Sequence, residues 1–171
     1  MAGNRSSEGV ITAIKTILTA DLPAKLDLLD TEYGATGDEV LADIAKIWLA
    51  PQERHQAQNV PALVLVAVGT EWLQEYGSEG VYQHSIAMEL ILRGNSRTTT
   101  LAPEELLTVK LQRTVRGIVE TLEAKRQLTV SSTNNCDFIA YEGVAYSELF
   151  DTDESPLEKR AEVNFLVQIS A

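Results

Sequence analysis

The sequence predicts an α+β fold: an antiparallel sheet of four strands, or slightly more, flanked by an N-terminal helix and one long helix, in the order α-α-β-β-α-β-β. Three observations carry this. Pro103–Arg126 reads as one long amphipathic helix. Val81–Arg93 and Glu158–Ile169 alternate apolar and polar residues with period two, as half-buried strands do. Two strand-like runs precede the long helix and two follow it, which suits an antiparallel sheet with helices laid on it.

In the long helix, Leu107, Leu111, Val115, Ile118, Val119 and Leu122 recur at steps of three and four. That spacing gathers them on one stripe about 100° wide. Pro103 suits the first turn, where a missing N–H costs little. Glu104 and Glu105 sit at the positive end of the macrodipole, Lys125 and Arg126 at the negative end. Lys110, Arg113, Arg116 and Glu120 fall mostly away from the apolar stripe. This far face reads as solvated, with phosphate or an acidic neighbour as the alternatives.

The chain before the sheet is helical in pattern. Met1–Ser7 is small and polar, a flexible end. Val10, Ile11, Ile14, Ile17 and Leu18 mark a helix from Glu8 to Ala20, capped by Ser6 or Ser7. Pro23 either breaks it or starts a new turn, and Ala24–Asp30 continues as helix with Leu26 and Leu29 inward. Thr31–Gly37 reads as a loop. Val40, Leu41, Ile44, Ile47 and Trp48 then predict a second, short amphipathic helix, ended by Pro51. Gln52–Asn59 is polar, and its His55 has no ligand partner nearby in sequence. Residues 31–59 as a whole look like a variable, insertion-like segment of a single domain spanning 1–171.

Pro61–Val68 is continuously apolar and valine-rich, which predicts a strand covered on both faces, ended by Gly69. Thr70–Gly80 reads as an irregular excursion carrying Trp72 and Tyr76. Along Val81–Arg93, His84 shares the apolar face with Tyr82, Ile86, Met88, Leu90 and Leu92, and reads as a hydrogen-bonded core or rim histidine. Gly94–Thr100 links to the long helix. Beyond that helix, Leu128–Asn135 passes from slight strand character into a turn. Asp137–Phe150 is aromatic and extended, with a bulge expected at Gly143. Asp151–Pro156 is a turn whose length suggests a hairpin with the last strand. Its carboxylates lack the glycine and terminal glutamate of a calcium-hand loop.

Composition narrows the function classes. Charged residues are 23% and apolar residues 44% of 171, an ordinary globular composition. The net charge of −11 argues against a broad basic nucleic-acid surface. It does not exclude DNA passing along an acidic wall. A lone cysteine, Cys136, rules out an internal disulfide and reads as an inert thiol. No apolar run is long enough to span a membrane, and the first residues lack an apolar signal core. With two histidines and one cysteine, a His/Cys metal site is not expected. No phosphate-cradling glycine cluster and no nucleophile–base grouping stands out. No cofactor and no enzyme activity are therefore expected. Trp48, Trp72 and Tyr76 are the candidate interface anchors.

Several stretches resemble the tail terminator and neck (tail-completion) proteins of long-tailed bacteriophages. NVPALVLVAVG resembles their first sheet strand, GVYQHSIAMELILRG the next strand, and LAPEELLTVKLQRTVRGIVETLE the helix after it. YEGVAYSELFDTDESPLEKRAEVNFLVQIS is similar to their closing hairpin. The resemblance spans Val10 to Ile169 and is one of element order. It departs at Thr31–Asn59 and in the high acidity, and it carries over no functional residue. It implies a virion structural protein at the head-proximal tail end. Such a protein assembles in host cytoplasm as a homo-oligomeric ring, usually a hexamer, joining the tail tube protein to head–tail connector proteins. DNA would pass through an acidic lumen without specific binding, and no membrane is involved. A head-side connector, adaptor or stopper protein is the alternative of the same class. A cytosolic α+β enzyme or small-molecule-binding domain, with a pocket near His84, Tyr141 and Glu89, is the alternative of another class.

Overall fold

A computed structural model describes residues 7–49, 60–73, 81–94, 102–125, 136–149 and 158–170. Helix α1 (Ser7–Tyr33) is followed by a 3-10 turn (Gly37–Glu39) and strands β1 (Lys46–Trp48), β2 (Ala62–Leu73) and β3 (Val81–Arg93). Helix α2 (Pro103–Glu123) then leads to β4 (Cys136–Leu149) and β5 (Glu158–Ser170). The fold is α+β, in the order α-β-β-β-α-β-β, with one five-stranded sheet ordered β1-β2-β3-β5-β4. The sheet is mixed rather than fully antiparallel, because β1 runs parallel to β2. All other pairings are antiparallel, including the expected β4–β5 pair.

Two expectations about the first third of the chain are corrected. Helix α1 passes uninterrupted through Pro23. Its buried stripe runs Val10, Ile11, Ile14, Leu18, Leu22, Leu26, Leu29, so the same face stays against the core on both sides of the proline. Burying Leu26 and Leu29 outweighs one lost helix hydrogen bond. The short second helix does not form. Leu41, Ile44 and Ile47 recur at steps of three, a spacing that also suits a chain laid over a core without helix. The Asp30 carboxylate accepts from the Leu41 N–H (3.1 and 3.0 Å), and the Ala45 N–H donates to the Pro61 carbonyl (2.8 Å). Lys46–Trp48 then takes its ladder bonds from Ala62–Val64. A helix this short is marginal alone, and the open flank of β2 offers better bonding.

Strand β3 spans Val81–Arg93 and β4 and β5 lie within one residue of their expected bounds, whereas β2 is longer than the sequence suggested. Gly69 does not end β2. The register shifts between Ala67 and Gly69, and the strand continues to Leu73. Ala62–Leu65 is buried on both faces as the apolar run predicts, but Val68, at the shift, is 68% exposed. In β4 the register shifts between Tyr141 and Gly143, where the glycine suggested a bulge.

One face of the sheet carries the core. Leu63 and Leu65 on β2 pair with Leu90 and Met88 on β3, which pair in turn with Ala161 and Val163 on β5. All are buried against Leu18, Leu22 and Leu26 of α1 and Leu111, Val115 and Ile118 of α2. The helices touch each other closely at Gly117. A Cβ there would lie 2.9 Å from Leu26 Cδ2 and 3.3 Å from Leu29 Cδ1.

The far face of α2 is paired rather than solvated. Arg116 donates to Glu32 (2.8 Å) and to the Tyr33 hydroxyl (2.6 Å), and Arg113 stacks 4.3 Å from the Tyr33 ring centre. Lys25 of α1 pairs with Glu120, Lys125 with Asp21 (3.3 Å), and Lys110 donates to the Asp38 carbonyl (2.9 Å). The acidic neighbour of the long helix is thus α1 and the turn after it.

The expectations for residues 1–6, Pro51, 52–59 with His55, Tyr76, 95–100, Arg126, Leu128–Asn135 and Asp151–Pro156 fall outside the described residues. Gly117→Val should lower stability by about 1–3 kcal/mol, because its branches enter space held by Leu26 and Leu29. Gly117→Ala should cost less, since a helix-propensity gain of about 1 kcal/mol offsets the crowding. Urea unfolding of the two variants checks both.

Candidate functional site

Of the candidate interface residues, Trp48 and Trp72 lie on strands, not on helix or loop, and Tyr76 lies outside the described residues. Trp48 ends β1 beside Val64 and is half-buried, with the Lys46 ammonium 5.2 Å from its ring centre. Its indole N–H is buried without a hydrogen-bond partner among the described residues. Trp72 lies near the end of β2, 51% exposed, edge-on to Tyr82 with ring centres 4.5 Å apart. The two tryptophans are eight residues apart along β2, roughly 26 Å at the usual strand rise. They also face opposite sides of the sheet, so they form no single patch. What they share is the β1 side of the sheet. There, Leu65–Leu73 of β2 has no strand beside it among the described residues.

The opposite margin is β4, which among the described residues pairs only with β5. Its exposed Tyr141 and Tyr146 sit beside the buried Phe165 and Ala161, so both point to the helix side. Tyr141 packs against Phe165 with ring centres 5.7 Å apart. Burial, with a smaller contribution from nearby Tyr141, pushes the Tyr146 phenol above its ordinary range. Glu142 lies at the register shift and is exposed. The sequence flagged the tryptophans by residue type. It missed these tyrosines because alternation alone does not say that β4 is a margin.

A cavity of about 210 Å³ opens beside β1, under α1. Leu18, Leu22, Ile44 and Ile47 form its apolar walls, and Lys15 and Lys46 stand at it. Neither lysine has a carboxylate partner among the described residues. Thr19 and Pro23 also line the cavity. Pro23 has no N–H, so the Thr19 carbonyl lacks its helix donor there.

The pocket proposed near His84, Tyr141 and Glu89 is not formed. His84 and Glu89 are five residues apart on β3 and therefore face opposite sides of the sheet. His84 is fully buried on the helix side, its Nδ1 3.0 Å from the Thr70 hydroxyl, with Nε2 unpartnered among the described residues. Burial lowers its pKa below the ordinary 6.5. Glu89 accepts from Arg160 on the outer face (2.8 Å). There Glu158 accepts from Arg93 and Arg160, each at 2.7 Å. Burial alone would raise the Glu158 pKa, but the two guanidinium groups override it and hold the carboxyl below its usual range. Among the described residues, no group of three or more His, Cys, Asp or Glu side chains is placed to hold a metal ion. No helix among them is long and apolar enough to cross a membrane.

Compared with known proteins, the chain matches no family model, and no curated protein sequence matches it.

Two outcomes follow from these charges. Because the folded state disfavours protonated His84, its stabilising contribution is full above pH 6.5 and is lost as pH falls below it. His84→Leu should therefore unfold with less pH dependence than wild type in chemical denaturation between pH 7 and about pH 5. Glu158→Gln should cost about 1–3 kcal/mol at pH 7, leaving two arginines without their shared carboxylate. Its deficit should shrink as pH falls through the lowered Glu158 pKa, where wild type loses the same charge. Urea titrations at pH 7 and pH 3.5 check this.

Proposed function

We propose that this chain is a virion structural subunit of the tail terminator or neck type, acting by assembly rather than by catalysis. In this reading it forms a ring, a hexamer by the family pattern, at the head-proximal end of a phage tail. It would join the tube protein to the head–tail connector, with DNA passing through the lumen unbound. The observation that carries the reading is a sheet with two margins on opposite sides that no strand covers among the described residues, each beside exposed aromatic side chains. Two different surfaces on one subunit are what head-to-tail association needs, and such interfaces close into rings. The charge of −11 suits a wall past which a polyanion moves. The resemblance of the strand and helix stretches to tail terminators supplies the biological setting.

Imaging particles tests this directly. An antibody or small tag on this chain, viewed by electron microscopy on virions and free tails, should mark the head–tail joint. Particles without label at that joint, with the protein left in the soluble fraction, would overturn the reading.

A further inference from the structure

We infer that the β4 margin of one copy docks against the β1 margin of a second copy, with Tyr146 entering the cavity beside Lys15 on the helix side while Lys46 lies on the outer face of the same margin. This rests on the ring reading above and specifies its contact.

The geometry points this way for three reasons. The first is layer. Ile47 lies beside buried Leu63 and faces the helices, so the cavity at β1 opens on the helix side. Tyr141 and Tyr146 project to that same side of β4. Setting β4 of one copy next to β1 of another extends the sheet and brings the tyrosines and the cavity into one layer.

The second is size and chemistry. A volume near 210 Å³ is below the roughly 300 Å³ at which small-molecule pockets begin, and suits a single large side chain. Its apolar walls fit an aromatic ring. The Thr19 carbonyl, without a helix donor because of Pro23, can accept from a phenol O–H.

The third is charge. β4 carries Asp137, Glu142 and Glu148 and no lysine or arginine. Two β4 strands side by side would bring like charges together, which disfavours a two-fold β4–β4 dimer. The lining of the cavity includes Lys15 and Lys46, without carboxylate partners among the described residues, and no acid; Asp43 and Glu71 lie elsewhere on the β1 side. In a chain with 25 acidic and 14 basic residues, that is an unusual local surplus of positive charge. The contact is therefore heterologous, acidic strand to basic cavity.

Mixing two half-blocked variants tests it. The double substitution Lys15→Glu, Lys46→Glu blocks the cavity side. Tyr146→Ala with Glu142→Lys blocks the strand side. By analytical ultracentrifugation, wild type should associate beyond dimer as concentration rises. Each variant alone should associate at least about tenfold more weakly. Their equimolar mixture should stop at dimers, since each pair retains one intact contact. Circular dichroism spectra matching wild type confirm that the variants fold. If folded variants associate as wild type does, the inference is overturned while the ring reading stands. A wild type that stays monomeric at every concentration also overturns it. Loss of label from the head–tail joint would overturn the ring reading whatever the variants do.

Discussion

The structure depends on pressing two helices together over one face of a twisted sheet. Gly117 makes this possible. Without a Cβ, α2 can approach α1 until Leu22, Leu26 and Leu29 fill the space above it. Both helices then cover the central strands, and Ile86, Met88, Leu90, Val163 and Phe165 become fully buried. The β3–β5 ladder runs from Val81–Ser170 to Arg93–Glu158, so this burial sits on the longest continuous pairing in the fold. A larger residue at Gly117 would lift one helix and loosen that whole layer.

Charge follows the same logic of layers. The helix pair is sewn along its flank by Arg116 with Glu32, Lys25 with Glu120, and Lys125 with Asp21. These pairs are partly exposed, and each contributes little alone. They matter more as placement: they match charges of opposite sign across the two helices, in both directions. The outer sheet face has its own network, centred on Glu158 between Arg93 and Arg160. With those cations paired, Lys15 and Lys46 stand out as basic groups with no acid partner among the described residues.

The sheet margins are where the fold leaves unfinished business. A long strand with one free side is a template for another chain. β4 shows acids, a register shift and exposed tyrosines at its margin; the β1 side shows lysines and a cavity. That asymmetry favours association of unlike surfaces, which is the physical content of the proposed ring. It also separates the proposed contact from the buried core, so the two can be altered independently.

The sequence by itself determined what periodicity can determine. The stripe Leu107–Leu122, the alternation in β3 and β5, the apolar face of His84 and the irregularity at Gly143 were all legible, because local spacing fixes which side of an element faces inward. It could not decide contests between local preference and distant partners. Pro23 stays in a helix because Leu26 and Leu29 are worth burying. Lys46–Trp48 becomes a strand because Ala62–Val64 lies alongside. Trp72 extends β2 because Tyr82 is opposite it. The candidate site was half legible for the same reason. Trp48 and Trp72 were visible as residue types, but the cavity and the pair Tyr141 and Tyr146 exist only once strand order is set. Strand order is a property of contacts far apart in the chain, and only the tertiary structure decided which strands would be left at the margins.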